Sequence, residues 1–119
     1  MTEAKKDQPG SLDALVAAPQ HHTLLFENEV VRVLDTRISP GDQTNIHTHI
    51  YPASLYILSW SDFTRYDDAG KVVLNSREAG LQYPAGSVLW SGPLAPHSLK
   101  NTGDKPLHVI SVEIKNYNP

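Results

Sequence analysis

Residues 30–60 read VVRVLDTRISPGDQTNIHTHIYPASLYILSW, and this stretch decides the class of fold. Its first run, 30–38, is rich in Val, Ile, Leu and Thr and stops at Ser39-Pro40-Gly41-Asp42, a cluster of turn formers. Its last run, Ser54-Leu55-Tyr56-Ile57-Leu58-Ser59, has Leu55 and Ile57 on one face of a strand and Tyr56 and Leu58 on the other. Both faces are apolar. In a small barrel, such a strand needs a second sheet or subunit against its outer face, which predicts a homodimer.

Outward from this stretch the same language continues. Turn clusters at Glu27-Asn28-Glu29, Asp67-Asp68-Ala69-Gly70, Pro84-Ala85-Gly86, Ser91-Gly92-Pro93 and Asn101-Thr102-Gly103-Asp104 separate short β-rich runs. Strands are expected at 23–26, 30–38, 44–49, 54–59, 62–66, 71–75, 81–83, 87–90, 97–101 and 106–115. So many short strands predict an all-β sandwich or barrel occupying residues 21–119. Residues 1–20 differ: they begin polar and charged at Glu3, Lys5, Lys6 and Asp7, pass Pro9-Gly10 and end at Pro19. They form either a frayed tail or a short helix capped by Ser11, running through Leu12, Leu15 and Val16.

Composition narrows the function. With 119 residues the chain fits one domain, and 10 basic against 13 acidic side chains leave a net charge of −3, too near neutral for a nucleic-acid footprint. There is no cysteine, so a metal would have to sit on His, Asp, Glu or water. The apolar stretch Ala14–Ala18 is too short for a signal peptide, which predicts a cytoplasmic protein without a membrane segment. Neither a Gly-x-Ser-x-Gly elbow nor a phosphate-binding glycine loop occurs.

The histidines carry the chemistry. His47 and His49 are two apart, and in an extended strand such residues share a face with Cα atoms roughly 6.5 to 7 Å apart, close enough to chelate one ion. Gly41 precedes His47 with five residues between them; Gly86, His97 and Asn101 follow with spacings of ten and three residues between them. These positions resemble the two motifs of the cupin superfamily, in particular its small single-domain, RmlC-like members. Gly41, His47 and His49 match the first motif, but Ala53 stands where its Glu belongs (Ser54 if the gap is one longer) and Trp60 where its second Gly belongs. Gly86, His97 and Asn101 match the second, with Gly92-Pro93-Leu94 in place of Pro-x-Gly.

The resemblance, which covers about residues 30–115, implies a double-stranded β-helix, or jelly-roll barrel, with His47, His49 and His97 facing inward around one divalent metal ion. Three neutral imidazoles suit Fe, Zn, Ni, Mn or Cu without choosing among them. Without the Glu, the ion would keep a formal charge of +2 and favour a small anionic organic ligand, and its affinity should fall as pH drops through about 6.5. The implied activity is binding or transforming that molecule, with dioxygenase-like, oxygen-dependent cleavage as the reaction class. The alternative is a non-enzymatic binding or sensing cupin that lost its metal together with the Glu.

Alternation assigns Asn45, Leu55, Ile57, Leu99 and Asn101 to the cavity wall, making an apolar ligand site with few polar groups. Trp90 and Tyr83 read as core or interface aromatics. His21 and His22 read as solvated residues at the end of the tail, His108 as a hydrogen-bonded core histidine, and Glu113 as a solvent-facing charge. Asp67, Asp68 and Asp104 are explained by turn geometry.

Overall fold

The turn formers fall where the chain reverses. The computed structural model describes residues 10–115; the start of the tail, with Glu3, Lys5, Lys6 and Asp7, and residues 116–119 lie outside the described residues. Strand β1 (His22–Glu27) turns into β2 (Val31–Ile38) through Asn28, whose Oδ1 accepts the amides of Val30 and Val31, both at 2.8 Å. Between β5 (Phe63–Asp67) and β6 (Val72–Asn75), Asp67 Oδ1 likewise accepts the amides of Ala69 and Lys71, and Gly70 takes a φ of +83° that a side chain would resist.

The remaining strands are β3 (His47–His49), β4 (Ala53–Ser59), β7 (Val88–Ser91), β8 (Leu94–Asn101) and β9 (Leu107–Ile114). They form two antiparallel sheets, one ordered β1-β2-β9-β4-β7 and the other β3-β8-β5-β6. The all-β double-sheet architecture is the expected one. Inward positions on the first sheet alternate as the pleat requires: Leu34 and Ile38 on β2, Ala53 and Ile57 on β4, and Leu107 on β9 are buried. Ile38, Leu107 and Phe63 form an apolar cluster at one end, extended by Trp60, Leu74 and Leu99.

Two expectations about local structure are corrected. Residues 81–83 make no strand: Pro84 offers no amide and Gly86 turns at φ +92°, so the run is an extended loop whose Tyr83 ring packs edge-on against Trp60 at 5.5 Å. The N-terminal helix, α1, covers only Ala14–Ala17, and its cap is Asp13, whose side chain accepts the Leu15 amide, rather than Ser11. This segment is docked. Thr48 donates its amide to the Leu12 carbonyl at 2.7 Å, and Asn45 donates its side-chain amide to the Ala17 carbonyl at 3.1 Å. Among the described residues no helix is long and apolar enough to cross a membrane.

Candidate metal centre

The short strand β3 sets His47 and His49 beside β8, where His47 lies directly opposite His97. The three rings converge: centroids are 4.4 Å apart for His47 and His97, 5.0 Å for His47 and His49, and 5.7 Å for His49 and His97. A fourth ring joins them. His22, expected to be solvated, is buried at the start of β1, with its centroid 4.7 Å from His47 and 5.4 Å from His49. One ligand nitrogen from each of His22, His47 and His49 lies within 4.8 Å of the other two. His22 is the one buried residue of β1: it pairs with Thr36 on β2 and its ring is bonded back to Ala18 in the docked N-terminal segment. Its neighbour His21 instead approaches Asp42 at 3.5 Å.

All four rings are oriented alike. Nδ1 of His22, His47 and His97 lies 2.9, 2.7 and 2.8 Å from the carbonyl oxygens of Ala18, Asn45 and Ala95. A carbonyl only accepts, so each Nδ1 carries the proton and each Nε2 keeps its lone pair. For His49 the acceptor is Glu113 Oε2, at 3.0 Å. Fixing Nδ1–H in this way is how proteins present Nε2 to a metal. Burial pushes the imidazole of His22 down to about 3, of His47 to about 4 and of His97 to about 3, against opposing hydrogen bonds to Ala18, Asn45 and Ala95. These three are therefore neutral donors at physiological pH, and their loss of ion affinity to protons belongs at more acidic pH than the 6.5 expected from free imidazole. The donor set fits a divalent transition ion.

Glu113 is not a solvent-facing charge. It is 1% exposed, and its Oε1 accepts from Arg32 Nε at 2.9 Å. Arg32 also donates to both oxygens of the buried Asp13, at 2.7 and 3.2 Å. Burial disfavours the Arg32 charge, but hydrogen bonding and attraction from Asp13 and Glu113 outweigh it and hold its pKa above the usual range. Two carboxylates around one guanidinium leave one negative charge in excess, next to His49. Glu113 on β9 stands directly across from Ala53 on β4, where the motif Glu was missing. A carboxylate thus reaches the centre through a neighbouring strand, bonded to a histidine's Nδ1.

Beneath the histidines is a cavity of about 130 Å³. Of the residues expected on its wall, Leu55 and Leu99 line it, while the buried Ile57 does not. Asn45 is exposed and lies outside, because β3 begins only at His47 and the alternation does not extend back to residue 45. Asn101 is fully buried and structural: it donates to the carbonyls of Ile38 and Lys105 and accepts from Ser61 Oγ and the Gly103 amide. Trp60 does not obstruct the cavity, since it packs on Phe63 at 5.7 Å, and Trp90 points outward. His108 is hydrogen-bonded as expected, to Asp35 at 3.0 Å, but on the outer face, because the inward residues of β9 are Leu107, Val109, Ser111 and Glu113.

No family model matches the chain, and no curated protein matches it. Solved structures do resemble it. A cupin domain from Bordetella pertussis superimposes with a TM-score of 0.63 at 20% identity, covering 78% of this chain and 90% of that one. An RmlC-like cupin with a double-stranded β-helix fold from Methanocaldococcus jannaschii gives 0.55 at 16% identity, covering 78% and 77%. The polyketide cyclase RemF from Streptomyces resistomycificus gives 0.53 at 16% identity, covering 87% and 70%. The fold of this chain is therefore the cupin-type double-stranded β-helix.

Proposed function

We propose that the protein is a metal-binding cupin that admits a small organic anion to its barrel. His47, His49 and His97 hold the ion, as the motif spacing implies, and His22 completes the set from β1. The observation that carries this reading is the common orientation of the four rings, each with Nδ1 bonded to an acceptor. A bound ion would supply electrophilic activation of the anion and, if redox-active, oxygen chemistry. Imidazole donors do not select among Fe, Zn, Ni, Mn and Cu.

The chain's own residues prepare the chamber. Leu55, Leu94, Leu99, Leu107 and Val109 give the cavity an apolar wall, which Tyr51, whose phenol burial raises above its usual pKa, also lines. Oxygen-dependent cleavage is the reaction class to test first, by oxygen uptake against diketones, thiols and hydroxy acids. Absence of uptake with metal bound would favour a binding or sensing role over an enzyme. Under a tenth of an equivalent of transition metal in untagged protein would contradict the metal itself.

The same reading includes a homodimer acting in the cytoplasm. Phe26, Tyr56, Leu58, Val88 and Trp90 of the five-stranded sheet are exposed apolar side chains, which supports pairing of that face with a second copy. A concentration-independent monomer mass in solution would remove the dimer.

A further inference from the structure

The cavity has a cation that the metal reading does not use. Arg65 on β5 lies opposite Leu99 of β8, and both line the cavity. Its guanidinium carbon sits 6.0 Å from the centre of the Phe63 ring, its Nε is buried with no hydrogen-bond partner, and among the described residues it joins no ion pair. The contrast with Arg32 is complete, since that guanidinium is enclosed by Asp13 and Glu113. Glu113, which also lines the cavity, is bonded instead to Arg32 and His49, and Asp67 on the same strand is bonded to the turn amides of Ala69 and Lys71. An arginine does not shed its proton in a protein, so this half-buried guanidinium keeps a charge that no acid among the described residues pairs with. Burial also lowers its pKa, with no acid nearby to offset it.

We infer that Arg65 is the anion receptor of the cavity and that its ligand is a short aliphatic carboxylate. The planar guanidinium suits a carboxylate's two oxygens, and the walls beside it, Leu55, Leu99 and Val109, suit an aliphatic body. A cavity of about 130 Å³ limits that body to a few carbons, being close to the roughly 150 Å³ cavity that holds benzene. The carboxylate faces Arg65 and leaves the opposite end of the molecule toward the imidazoles. This inference rests on the cavity being a ligand site, and it names the ligand's class and the residue that selects it.

The test is isobutyrate binding, by calorimetry, to the full chain stripped of metal with a chelator, against its near-isosteric neutral amide, isobutyramide. Wild-type protein should bind the carboxylate at least tenfold more tightly than the amide. Arg65→Gln should remove that preference, Arg65→Lys should keep part of it, and His49→Ala should keep it while losing metal. Equal affinity for the two probes in the stripped wild type, or no binding of either, overturns the inference without any variant. A preference that survives Arg65→Gln overturns it as well. Should the carboxylate bind only to zinc-loaded protein, with His49→Ala and not Arg65→Gln abolishing it, the ion is the receptor: the inference fails and the proposed metal site stands. An Arg65-dependent preference in a chain that never takes up metal upholds the receptor and removes the metal site.

Discussion

The two ends of the barrel solve the same problem in opposite ways. At the end closed by Asn101, every polar group of the buried amide is satisfied: Ile38 and Lys105 accept from its nitrogen, and Ser61 and Gly103 donate to its oxygen. Apolar packing of Ile38, Phe63 and Leu107 completes that end. Around the histidines, the protein satisfies Nδ1 of four buried or half-buried rings and brings a ligand nitrogen from each of His22, His47 and His49 within 4.8 Å of the others. Saturated polar groups serve stability, whereas imidazoles held in one tautomer and gathered around a cavity serve a ligand.

The largest expected contrast is in metal binding. His47→Ala should weaken ion affinity by about a thousandfold or more, with cooperative melting retained, because it removes one of the four proposed imidazole ligands. Asn101→Ala should leave affinity unchanged. Elemental analysis and thermal melts on both variants check the pair, and equal metal loss in the two would erase the distinction between the ends.

Acid should act on the histidine end. In metal-free protein, His22, His47 and His97 have folded-state values of about 3, 4 and 3, below the unfolded value near 6.5. Between those limits the unfolded chain binds more protons, so unfolding free energy falls as pH is lowered from about 6.5 toward 4. The expected loss is on the order of a few kcal/mol by pH 5, read from denaturant melts. His22→Phe should flatten that slope. A slope unchanged by this substitution would mean that His22 is not held neutral.

At the closed end, Asn101→Ala should cost about 2 to 4 kcal/mol, since it strands two carbonyls and two donors in the interior. Gly103→Ala should act in the same direction, because a Cβ there would run into Ser61 Oγ and the Asp62 amide. Chemical denaturation measures both.

Glu113→Gln tests the link between the ends' chemistries with the smallest effect. It keeps the shape but removes the charge beside His49 and Arg32, and metal affinity should fall by about tenfold to a hundredfold, the usual range for a partner behind a ligating histidine. Unchanged affinity, measured by competition with a chelator, would reduce Glu113 to a partner of Arg32 alone.

What could be read from the chain alone follows the range of the interactions. Strands and turns are local, so nine of the runs between Gly, Pro, Asn and Asp clusters emerged as strands, and only 81–83, trapped before Pro84, did not. The convergence of the His47, His49 and His97 rings was legible because fixed spacing on two strands marks them. His22 and Glu113 were not, because their burial depends on pairing between distant segments: Glu113 meets Arg32 across 81 residues. A signal was nonetheless present. Arg32 with Leu34 and Ile38, and Glu113 with Val109 and Leu107, are opposite charges on the inward faces of two strands, a pattern that asks for the strands to be neighbours. His22 was masked by the adjacent His21. Arg65 gave no signal in sequence, since its significance lies in the acids that fail to reach it.

The most direct test is anomalous diffraction from crystals of the untagged protein grown with the metal it retains. The account predicts one ion with Nε2 of His47, His49 and His97 at about 2.0 to 2.2 Å, joined by Nε2 of His22. Rings whose Nε2 atoms diverge from any common point, or an ion bound through Nδ1 with the carbonyl bonds broken, would contradict it.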